Sequence, residues 1–455
     1  MGDGELRQRH FADAMALAPQ LIERLGWSTD RLAIHRQERL RELTRAAIER
    51  SPWHRKRLAG LNPERLDETA LRQLPVMTKA DVMEHFDDIV TDDRLRLEVV
   101  NRHLDGLAAG GDHYLFGRYT AIASSGSTGH RGVFVYDREG WATFYLGLFR
   151  YILRAIRMDP ALKSAPVVVA SVAASHPTHA TAAMSRTFSG PHLISRRFPV
   201  TMPMDQIVVG LNEAQPTFLQ GYASALHLLT HEVRAGRLRI APKRIITGAE
   251  PLLPEIRSAL EETWEVPVGA WWGTSEGGAT GAPCDLGATH LSEDLLIVEP
   301  VDEDGRPVGP GERSAKIYLT NLYNRTLPLI RYEITDEVTV LREPCPCGSA
   351  HPRIADIQGR LDDIFVYQGL RVHPHVFRSR LCQEHNIVEY QVHQTTRGAA
   401  ISLRGAGPVD VSALCRDIAA GLETLGIPRP EVSVTVVDSL DRHPTGKLKR
   451  FVPLS

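Results

Sequence analysis

Hydroxyl and glycine residues gather in one short run of the sequence. The run comprises Ser124, Ser125, Gly126, Ser127, Thr128 and Gly129. Its backbone N–H groups and hydroxyls could bind phosphate oxygens, because glycine lets the backbone form an anion-binding concavity. A Walker loop would need Gly-Lys before a helix, whereas a β-type pattern follows from Gly132, so the run is predicted to join two strands. A flexible serine- and glycine-rich turn explains it about equally well.

Two further segments combine glycine with an acid. One consists of Gly248, Ala249, Glu250 and Pro251, between a strand-like apolar run and a helical pattern that Pro254 suits as first turn. Loops at strand ends are where open α/β sheets bind ligands, although helix initiation alone would explain this one. The other consists of Trp272, Gly273, Thr274, Ser275 and Glu276. Its carboxylate could bind Mg²⁺, which prefers carboxylate oxygens together with substrate phosphates.

Three more segments contain charged residues that could take part in chemistry. Asp336 ends an apolar strand pattern and could accept hydrogen bonds from ribose hydroxyls. Arg360 and Asp362 lie in a polar Gly-Arg-Leu-Asp-Asp turn, and Lys447 follows a glycine in a basic cluster near the carboxyl end. A basic cluster of this kind is usually only a solvated tail. Each of these features is weak when taken alone.

The elements that must position these residues predict an α/β protein. Residues 1–104 have a mainly helical pattern, in which Leu40, Leu43, Ala47 and Ile48 form one apolar face. Short β-rich runs then alternate with helical stretches, which is typical of a multi-layer α/β region. An aromatic stripe that starts at Trp141 at helical spacing favours core packing. The tail after the polar turn has its own strand and helix patterns and predicts a small α+β unit.

Composition narrows the function classes. A length of 455 residues favours two or three domains. The 53 Lys and Arg nearly balance the 55 Asp and Glu, so no global field recruits nucleic acid or an anionic membrane. The amino terminus is polar and no apolar run is long enough to span a bilayer, which predicts a cytoplasmic protein. The five cysteines are an odd number in a long chain, which favours reduced thiols over a disulfide framework.

In their order and spacing, the six charged or glycine-rich segments resemble the signature set of the adenylate-forming superfamily. That superfamily contains acyl-CoA and aryl-CoA synthetases, peptide-synthetase adenylation domains and luciferases. The resemblance runs from about Tyr119 to Arg450. The helical amino-terminal region, the segment around Glu250 and the segment that begins at Gly369 are most similar to phenylacetate-CoA ligases.

The resemblance implies ATP- and Mg²⁺-dependent activation of a small carboxylic acid, with aromatic acids favoured, as its acyl adenylate. It implies that residues 124–129 hold the leaving pyrophosphate and that residues 248–251 border the adenine. Glu276 would coordinate Mg²⁺, and Ser275 would contact a phosphate beside Trp272, Gly273 and Thr274. Asp336 and Arg360 would bind the ribose. Lys447 would neutralise negative charge as the carboxylate attacks the α-phosphate.

The resemblance also implies the domain organisation. Residues 1–358 would form the large ATP- and acyl-binding domain, residues 359–363 a hinge, and residues 364–455 a small mobile domain that carries Lys447. Asp362 matches the hinge position, and Gly369 lies on the loop along which coenzyme A would enter. Two of the departures from the superfamily's usual pattern lie in the site: Trp272 replaces a usual tyrosine, and Ser275 replaces a usual threonine. The hydroxyl at Ser275 is retained, and Trp272 suggests an unusual acyl pocket.

A separate cysteine and histidine set predicts a structural zinc site. Cys345 and Cys347 are two residues apart, and Cys284 and His290 lie upstream, in a stretch that some relatives of phenylacetate ligases use for zinc. Three thiolates and one imidazole would make a closed tetrahedral site. His351 is a rival fourth ligand, and unpaired cysteines in turns are the alternative.

Three functions are consistent with the sequence: a carboxylate-CoA ligase, an enzyme that loads a carrier protein or an amine, and a homologue that binds nucleotide without catalysis. The expected partners are the small acid and coenzyme A or a carrier protein, with neither nucleic acid nor membrane. A homodimer is an open alternative to a monomer. His176 and His179 are interpreted as residues that line the acyl pocket, outside the catalytic set.

Overall fold

A computed structural model of the chain describes most of its length. The described residues are 2–124, 132–163, 165–173, 177–190, 192–200, 202–355, 365–372, 375–381, 384, 386–405, 407–442 and 448–454.

The amino-terminal region is helical, as its pattern predicts. Its helices are α1 Asp3–Glu23, α2 Thr29–Arg50, α3 Pro52–Arg57, α4 Glu68–Leu71, α5 Lys79–Glu84, α6 Phe86–Ile89 and α7 Leu97–Ala108. Side-chain caps start several of them; for example, the Ser28 hydroxyl accepts a hydrogen bond from the Arg31 N–H at the start of α2. Leu40, Leu43 and Ala47 of α2 are fully buried, which confirms the predicted apolar face.

A hairpin and a long helix follow. Strands β1 Tyr119–Ala123 and β2 Val133–Asp137 pair antiparallel, so the run that starts at Ser124 connects two strands, as predicted. Helix α8 Arg138–Met158 begins where the Asp137 carboxylate accepts from the Gly140 N–H. The aromatic stripe of α8 is buried, which confirms that it forms core.

The central sheet has seven strands. They are β3 Val167–Ala173, β4 Leu193–Pro199, β5 Phe218–Gly221, β6 Arg244–Gly248, β7 Val268–Thr274, β8 Gly278–Pro283 and β9 Thr289–Leu291, and they lie in the order β4-β3-β5-β6-β7-β8-β9. The accompanying helices are α9 Pro160–Lys163, α10 Ala180–Thr187, α11 Met204–Ala214, α12 Ala223–Arg234 and α13 Pro254–Trp264. The first five strands of this order are parallel, whereas β8 and β9 run antiparallel to their neighbours. The segments that follow β5, β6 and β7 therefore meet at one edge, where open α/β sheets bind ligands.

A smaller antiparallel sheet packs beside this one. It consists of β10 Leu296–Val301, β11 Lys316–Asn321 and β12 Tyr332–Ile334, in that order. Leu319 and Tyr332 belong to the same hydrophobic core as the aromatic helix α8. Asp336 lies two residues after the end of β12, and its carboxylate contacts Trp272 near the end of β7.

The carboxyl-terminal region has its own sheet and core. The elements are β13 Phe365–Tyr367, β14 Leu370–Val372, α14 His375–Leu381, β15 Ile387–Thr395, β16 Gly398–Gly405, α15 Val411–Thr424, β17 Glu431–Val436 and β18 Phe451–Val452. The sheet order is β17-β16-β15-β18, and β13 and β14 form a separate hairpin. Phe365, Phe377, Val392 and Ile418 centre a core cluster of this region alone. The α/β fold with an α+β tail is thereby confirmed, while the hinge assigned to residues 359–363 lies outside the described residues.

Among the helices that the structure describes, none combines the length and the apolar character needed to cross a membrane.

Candidate functional site

The base of the β1–β2 connection is closed by Ser124. Its hydroxyl accepts a hydrogen bond from the Gly132 N–H at 3.0 Å, and its own N–H donates to the Gly132 carbonyl at 2.8 Å. A side chain at Gly132 would meet the Phe134 ring and the Ser124 hydroxyl at about 3 Å, so the close approach requires glycine. The other predicted phosphate-binding residues, Ser125, Gly126, Ser127, Thr128 and Gly129, lie outside the described residues.

Lys79 lies beside Ser124, at the closed end of the β1–β2 connection, and the sequence analysis did not predict it as a site residue. Its Nζ is 3.4 Å from the Ser124 Oγ. The side chain projects from the first residue of α5, where Thr78 and Asp81 form a capping box that fixes the helix start. The local pattern signals only a helix start, and the proximity to Ser124 arises from folding. An ammonium group here places positive charge next to the run that was predicted to bind phosphate.

The Glu276 turn is held by its backbone. It connects β7 to β8, and the Tyr136 hydroxyl donates to the carbonyls of Ser275 and Glu276 at 2.6 and 3.1 Å. The Asn321 amide also donates to the Glu276 carbonyl at 2.9 Å. Burial raises the pKa of Tyr136 well above its usual value, so its hydroxyl stays a donor. These bonds to backbone carbonyls fix the turn to β2 and β11 and do not use the Glu276 carboxylate.

The Glu276 carboxylate points towards the sheet that carries Asp336. The Tyr332 hydroxyl on β12 lies 3.4 Å from the Glu276 Oε1 and can donate to it. Asp336 itself is buried and accepts a hydrogen bond from the Trp272 indole N–H at 2.8 Å. Two segments that the sequence analysis singled out are thus joined directly. The hydrogen bond from the Trp272 indole N–H holds the Asp336 carboxylate in a buried position.

The segment around Glu250 follows β6, and its backbone turns sharply. Ala249 has a φ of +62°, a left-handed conformation that is uncommon for a residue other than glycine. Glu250 accepts two backbone hydrogen bonds, from Ser224 at 3.0 Å and from Leu448 at 3.1 Å. Helix α13 then begins at Pro254, as the proline predicts. Because Gly248 pairs with Trp271 on β7, this segment lies next to the strand that carries Trp272.

Several predicted positions cannot be placed. Arg360, Asp362 and Lys447 lie outside the described residues, and so does His176. His179 is described and immediately precedes α10. Gly369 is described too: with Gln368 it forms the two-residue turn between β13 and β14, and both have positive φ, 49° and 89°. A side chain at Gly369 would meet open space, so the turn is accessible.

The four predicted metal ligands gather into one cluster. The ligand atoms of Cys284, His290, Cys345 and Cys347 all lie within 4.8 Å of one another. In a tetrahedral zinc site with Zn–S bonds of about 2.3 Å, ligand atoms stand roughly 3.7 Å apart, so small adjustments would suffice. Burial raises the pKa of the Cys284 and Cys347 thiols, which disfavours thiolates unless a cation compensates them.

The histidine of this cluster is oriented for a metal. The carbonyl of His351 can only accept, so the His290 Nδ1–H donates to it at 2.7 Å. The lone pair of the His290 Nε2 then faces the Cys347 sulfur at 3.4 Å. A backbone carbonyl on the second ring nitrogen is the usual support for a zinc-binding histidine. The rival ligand His351 hydrogen-bonds through its Nε2 to the Arg24 carbonyl at 3.2 Å, and the cluster contains His290 in its place.

Known proteins share both sequence and fold with this chain. A phenylacetate-coenzyme A ligase of Thermus thermophilus is 25% identical over 379 residues, 76% of this chain and 74% of that ligase. A phenylacetate-coenzyme A ligase of Pseudomonas putida is 26% identical over 447 residues, 92% of this chain and 90% of that ligase. A 2-hydroxyisobutyryl-CoA ligase structure in its postadenylation state has a TM-score of 0.73 at 18% identity, covering 94% and 91% of the two chains. No family model matches.

These relatives support the predicted resemblance to the adenylate-forming superfamily. The motif resemblance is confirmed by relatives of nearly full length, and the predicted enzyme class, an acyl-adenylate-forming ligase, is confirmed with it. Within the superfamily the chain is similar to phenylacetate-coenzyme A ligases. The TM-score of the solved neighbour shows a shared fold, and at 18% identity it assigns no role to an individual residue.

Proposed function

We propose that this chain uses ATP and Mg²⁺ to activate a small carboxylic acid as acyl-AMP and then transfers the acyl group to coenzyme A. The supporting observation is a chain of direct hydrogen bonds among segments far apart in sequence. Tyr136 links the Ser124 hairpin to the Glu276 turn, Tyr332 reaches the Glu276 carboxylate, and Trp272 holds Asp336. A nucleotide, its metal ion and an acid could share this one edge of the large sheet.

The phosphates would lie between the Ser124 loop and the Glu276 turn. Residues 124–129 would hold the leaving pyrophosphate with backbone N–H and hydroxyl groups, and Ser275 would contact a phosphate. The Lys79 ammonium, next to Ser124, would offset part of the charge of the polyphosphate. The Glu276 carboxylate provides the hard oxygen that Mg²⁺ prefers. The metal ion would neutralise phosphate charge when bound.

The nucleoside would bind between the two acidic segments. Asp336 and Arg360 would fix the ribose, and residues 248–251 with Trp272, Gly273 and Thr274 would border the adenine. Asp336 already accepts one hydrogen bond from Trp272, and its second oxygen could accept from a ribose hydroxyl. The rigid contact with Trp272 would pre-organise that carboxylate.

The carboxyl-terminal region would supply the remaining chemistry. Lys447 would approach the attacking carboxylate and the α-phosphate, where two anions must meet. Rotation at Asp362 would then withdraw Lys447 and bring the turn at Gly369 to the acyl adenylate, so that coenzyme A could enter beside it. This rotation and the domain bounds 1–358 and 364–455 are part of the proposal.

The proposal also includes a structural Zn²⁺. Cys284, His290, Cys345 and Cys347 would complete its tetrahedron and leave no position open for catalysis. The ion would tie the segment after β8 to the loop that carries Cys345. Cysteines that bind zinc instead of forming disulfides suit a compartment in which cysteines stay reduced, in keeping with the predicted cytoplasmic location.

The test is a screen of aromatic and short aliphatic acids for acid-dependent pyrophosphate exchange into ATP. The best acid is then supplied with ATP and either coenzyme A, a phosphopantetheinylated carrier protein or a simple amine, and the acyl product is identified by mass. We expect exchange with at least one aromatic acid and an acyl-CoA product. Adenylate formation without acyl-CoA at saturating coenzyme A would favour the carrier or amine alternative. Lack of exchange with every acid would favour a nucleotide-binding homologue.

A further inference from the structure

The hydroxyl of Tyr151 is buried and has no hydrogen-bond partner among the residues that the structure describes. Tyr151 lies on α8, is 3% exposed and packs in one cluster with Cys284 and Cys345, two of the predicted zinc ligands. Buried hydroxyls nearly always have a partner, because removal from water without a replacement hydrogen bond costs free energy. An unpartnered hydroxyl at this place therefore calls for an acceptor close by.

The groups around Tyr151 limit which atoms can accept this hydrogen bond. Burial raises the pKa of the Tyr151 hydroxyl, the charge of Arg150 lowers it, and Cys284 and Cys347 raise it. The resulting pKa lies above the usual value, so the hydroxyl keeps its proton and can donate. The guanidinium of Arg154, 5.3 Å from the centre of the Tyr151 ring, offers only N–H donors, as does that of Arg150. The cysteine sulfurs are the neighbouring groups that can accept.

The sulfurs of the cluster already accept hydrogen bonds from the backbone. The N–H groups of Leu286 and Ala288 donate to the Cys284 sulfur, and the N–H group of Ser349 donates to the Cys347 sulfur. Three thiolates carry more negative charge than one Zn²⁺ offsets, so the site would be anionic in buried surroundings when zinc is bound. Each donor to a sulfur stabilises that charge. A hydroxyl donor at Tyr151 would act in the same sense.

The arginines next to Tyr151 are engaged with carboxylates. Arg150 donates to Asp294 at 2.7 Å, and Arg154 donates to Asp285. Because each of these cations has an anionic partner, its charge is already offset in part. Tyr151 lies on the same helix and offers a donor that neither carboxylate uses. Its hydroxyl is thus available to the sulfurs.

We propose that Tyr151 is a positioning residue of the zinc site, whose hydroxyl donates a hydrogen bond to the zinc-bound sulfur of Cys284 or Cys347. The bond would orient that sulfur, reduce its negative charge and strengthen zinc binding. It would also link α8 to the segment that follows β8. This inference rests on the structural zinc of the proposed function and is independent of the adenylation chemistry.

The experiment compares Tyr151→Phe with the matched control Tyr145→Phe in the full-length chain. Both substitutions remove one buried hydroxyl from α8 and keep the ring, so the packing of the helix is retained. Burial alone raises the pKa of Tyr145, with no contribution from a cysteine.

Zinc affinity is measured by competition with a chromophoric chelator. We expect Tyr151→Phe to bind zinc about 10-fold more weakly, the smaller end of the usual loss when a group that supports a metal ligand is removed. Tyr145→Phe should stay within about twofold of the wild type, because sites without shared partners act independently.

Cobalt provides a readout that a general loss of packing would not move. When Co²⁺ replaces Zn²⁺, the energy of its sulfur-to-metal charge-transfer absorption depends on the electron density at the sulfurs. A sulfur that loses a hydrogen bond is richer in electrons, so we expect the band of Tyr151→Phe to move to longer wavelength. The band of Tyr145→Phe should match that of the wild type.

An unchanged zinc affinity in Tyr151→Phe would overturn the positioning role. A weaker affinity with an unmoved cobalt band, or equal changes in both variants, would overturn it too, because either result indicates altered packing of α8. Wild-type protein that binds no zinc would overturn the zinc site and this inference together. Pyrophosphate exchange would in that case still test the proposed adenylation by itself.

Discussion

The cysteine and histidine cluster and the Glu250–Leu448 contact are built in opposite ways. The cluster is enclosed: Cys284, His290 and Cys345 are buried, and backbone hydrogen bonds fix the segments around it. Close by, Arg150 and Asp294 form an ion pair at 2.7 Å in which neither side chain is exposed. Burial alone would raise the pKa of Asp294, but Arg150 and His351 outweigh it and lower that pKa. Buried contacts therefore hold the region around the cluster.

The other contact joins two regions with separate cores through polar groups. Leu448 donates to Glu250, while Arg450 and Arg404 lie near His227 and His231 of α12. Burial, followed by the charge of Arg450, lowers the pKa of His227 to about 3, so its imidazole is neutral and does not repel the arginines. Polar contacts between regions are easier to exchange than a buried ion pair. We therefore expect substitutions in the cluster to reduce stability and substitutions at the contact to reduce rate.

Replacement of Lys447 gives the sharpest test of the expectation that substitutions in the carboxyl-terminal region reduce rate. We expect Lys447→Ala to slow pyrophosphate exchange by about 1,000-fold or more, equivalent to about 4 kcal/mol of barrier, because a transition-state charge loses its partner. ATP binding, measured by calorimetry, and the unfolding temperature should change little. The control is Lys449→Ala, an exposed lysine of the same cluster, for which we expect a rate within about twofold of wild type. Unchanged exchange in Lys447→Ala would remove the lysine from the mechanism.

Replacement of Asp294 tests the first half. Asp294→Asn leaves the buried Arg150 guanidinium without its carboxylate, so the free energy of unfolding should fall by about 3 kcal/mol. Asp302→Asn breaks an exposed ion pair with Arg306 and should cost under about 1 kcal/mol. Denaturant unfolding provides the measurement. A variant of Asp294 that keeps its stability but loses exchange activity at 25 °C would contradict the division between the two regions.

Local sequence patterns predicted the elements and most segments of the site. The hydroxyl and glycine run between two strands, the proline that starts α13 and the aromatic face of α8 all depend on neighbours within a few residues. Those interactions are encoded locally, so they can be read from spacing. The identities of Glu276 and Asp336 as site candidates came from family resemblance combined with the chemistry of carboxylates.

Contacts between distant segments could not be predicted in this way. Trp272 and Asp336 are 64 positions apart, and Glu250 and Leu448 are 198 apart. Each pair meets because the sheet order places their segments together, and neither residue of a pair carries a local mark of its partner. The choice of His290 over His351 has the same origin, since it depends on which ring nitrogen faces a carbonyl.

Metal removal is the next test of the enclosed region. We expect one Zn²⁺ per chain in protein purified without added metal, measured by inductively coupled plasma mass spectrometry. Cys347→Ser should lose the ion and about 2 kcal/mol of unfolding free energy, because one of four ligands is lost. Cys415→Ser, on α15 and outside the cluster, should keep the metal. If Cys347→Ser instead retained its stability and lost pyrophosphate exchange, the site would be catalytic and the structural assignment would be wrong.

The smallest effect concerns a buried histidine outside both regions. His54 donates its Nε2–H to the Pro328 carbonyl at 2.9 Å, and its buried Nδ1 has no hydrogen-bond partner among the residues that the structure describes. Burial, reinforced by the charge of Arg57, lowers the pKa of His54 to about 3 from its usual 6.5. The unfolded chain therefore binds a proton at a higher pH than the folded protein does. Stability from the neutral imidazole is complete above pH 6.5 and is lost as the pH falls towards 3.

For His54 alone, this loss amounts to about 1.4 kcal/mol for each pH unit well below 6.5. The other buried histidines with lowered pKa values add to it, so the wild type should lose stability steeply in mild acid. His54→Gln keeps a side-chain N–H for the Pro328 carbonyl but does not titrate. We will compare the slopes of unfolding free energy against pH, measured in urea between pH 7.5 and 5. We expect the slope of His54→Gln to correspond to the uptake of one proton fewer on unfolding than in the wild type. Parallel pH profiles for the two proteins would mean that His54 titrates normally in the folded state.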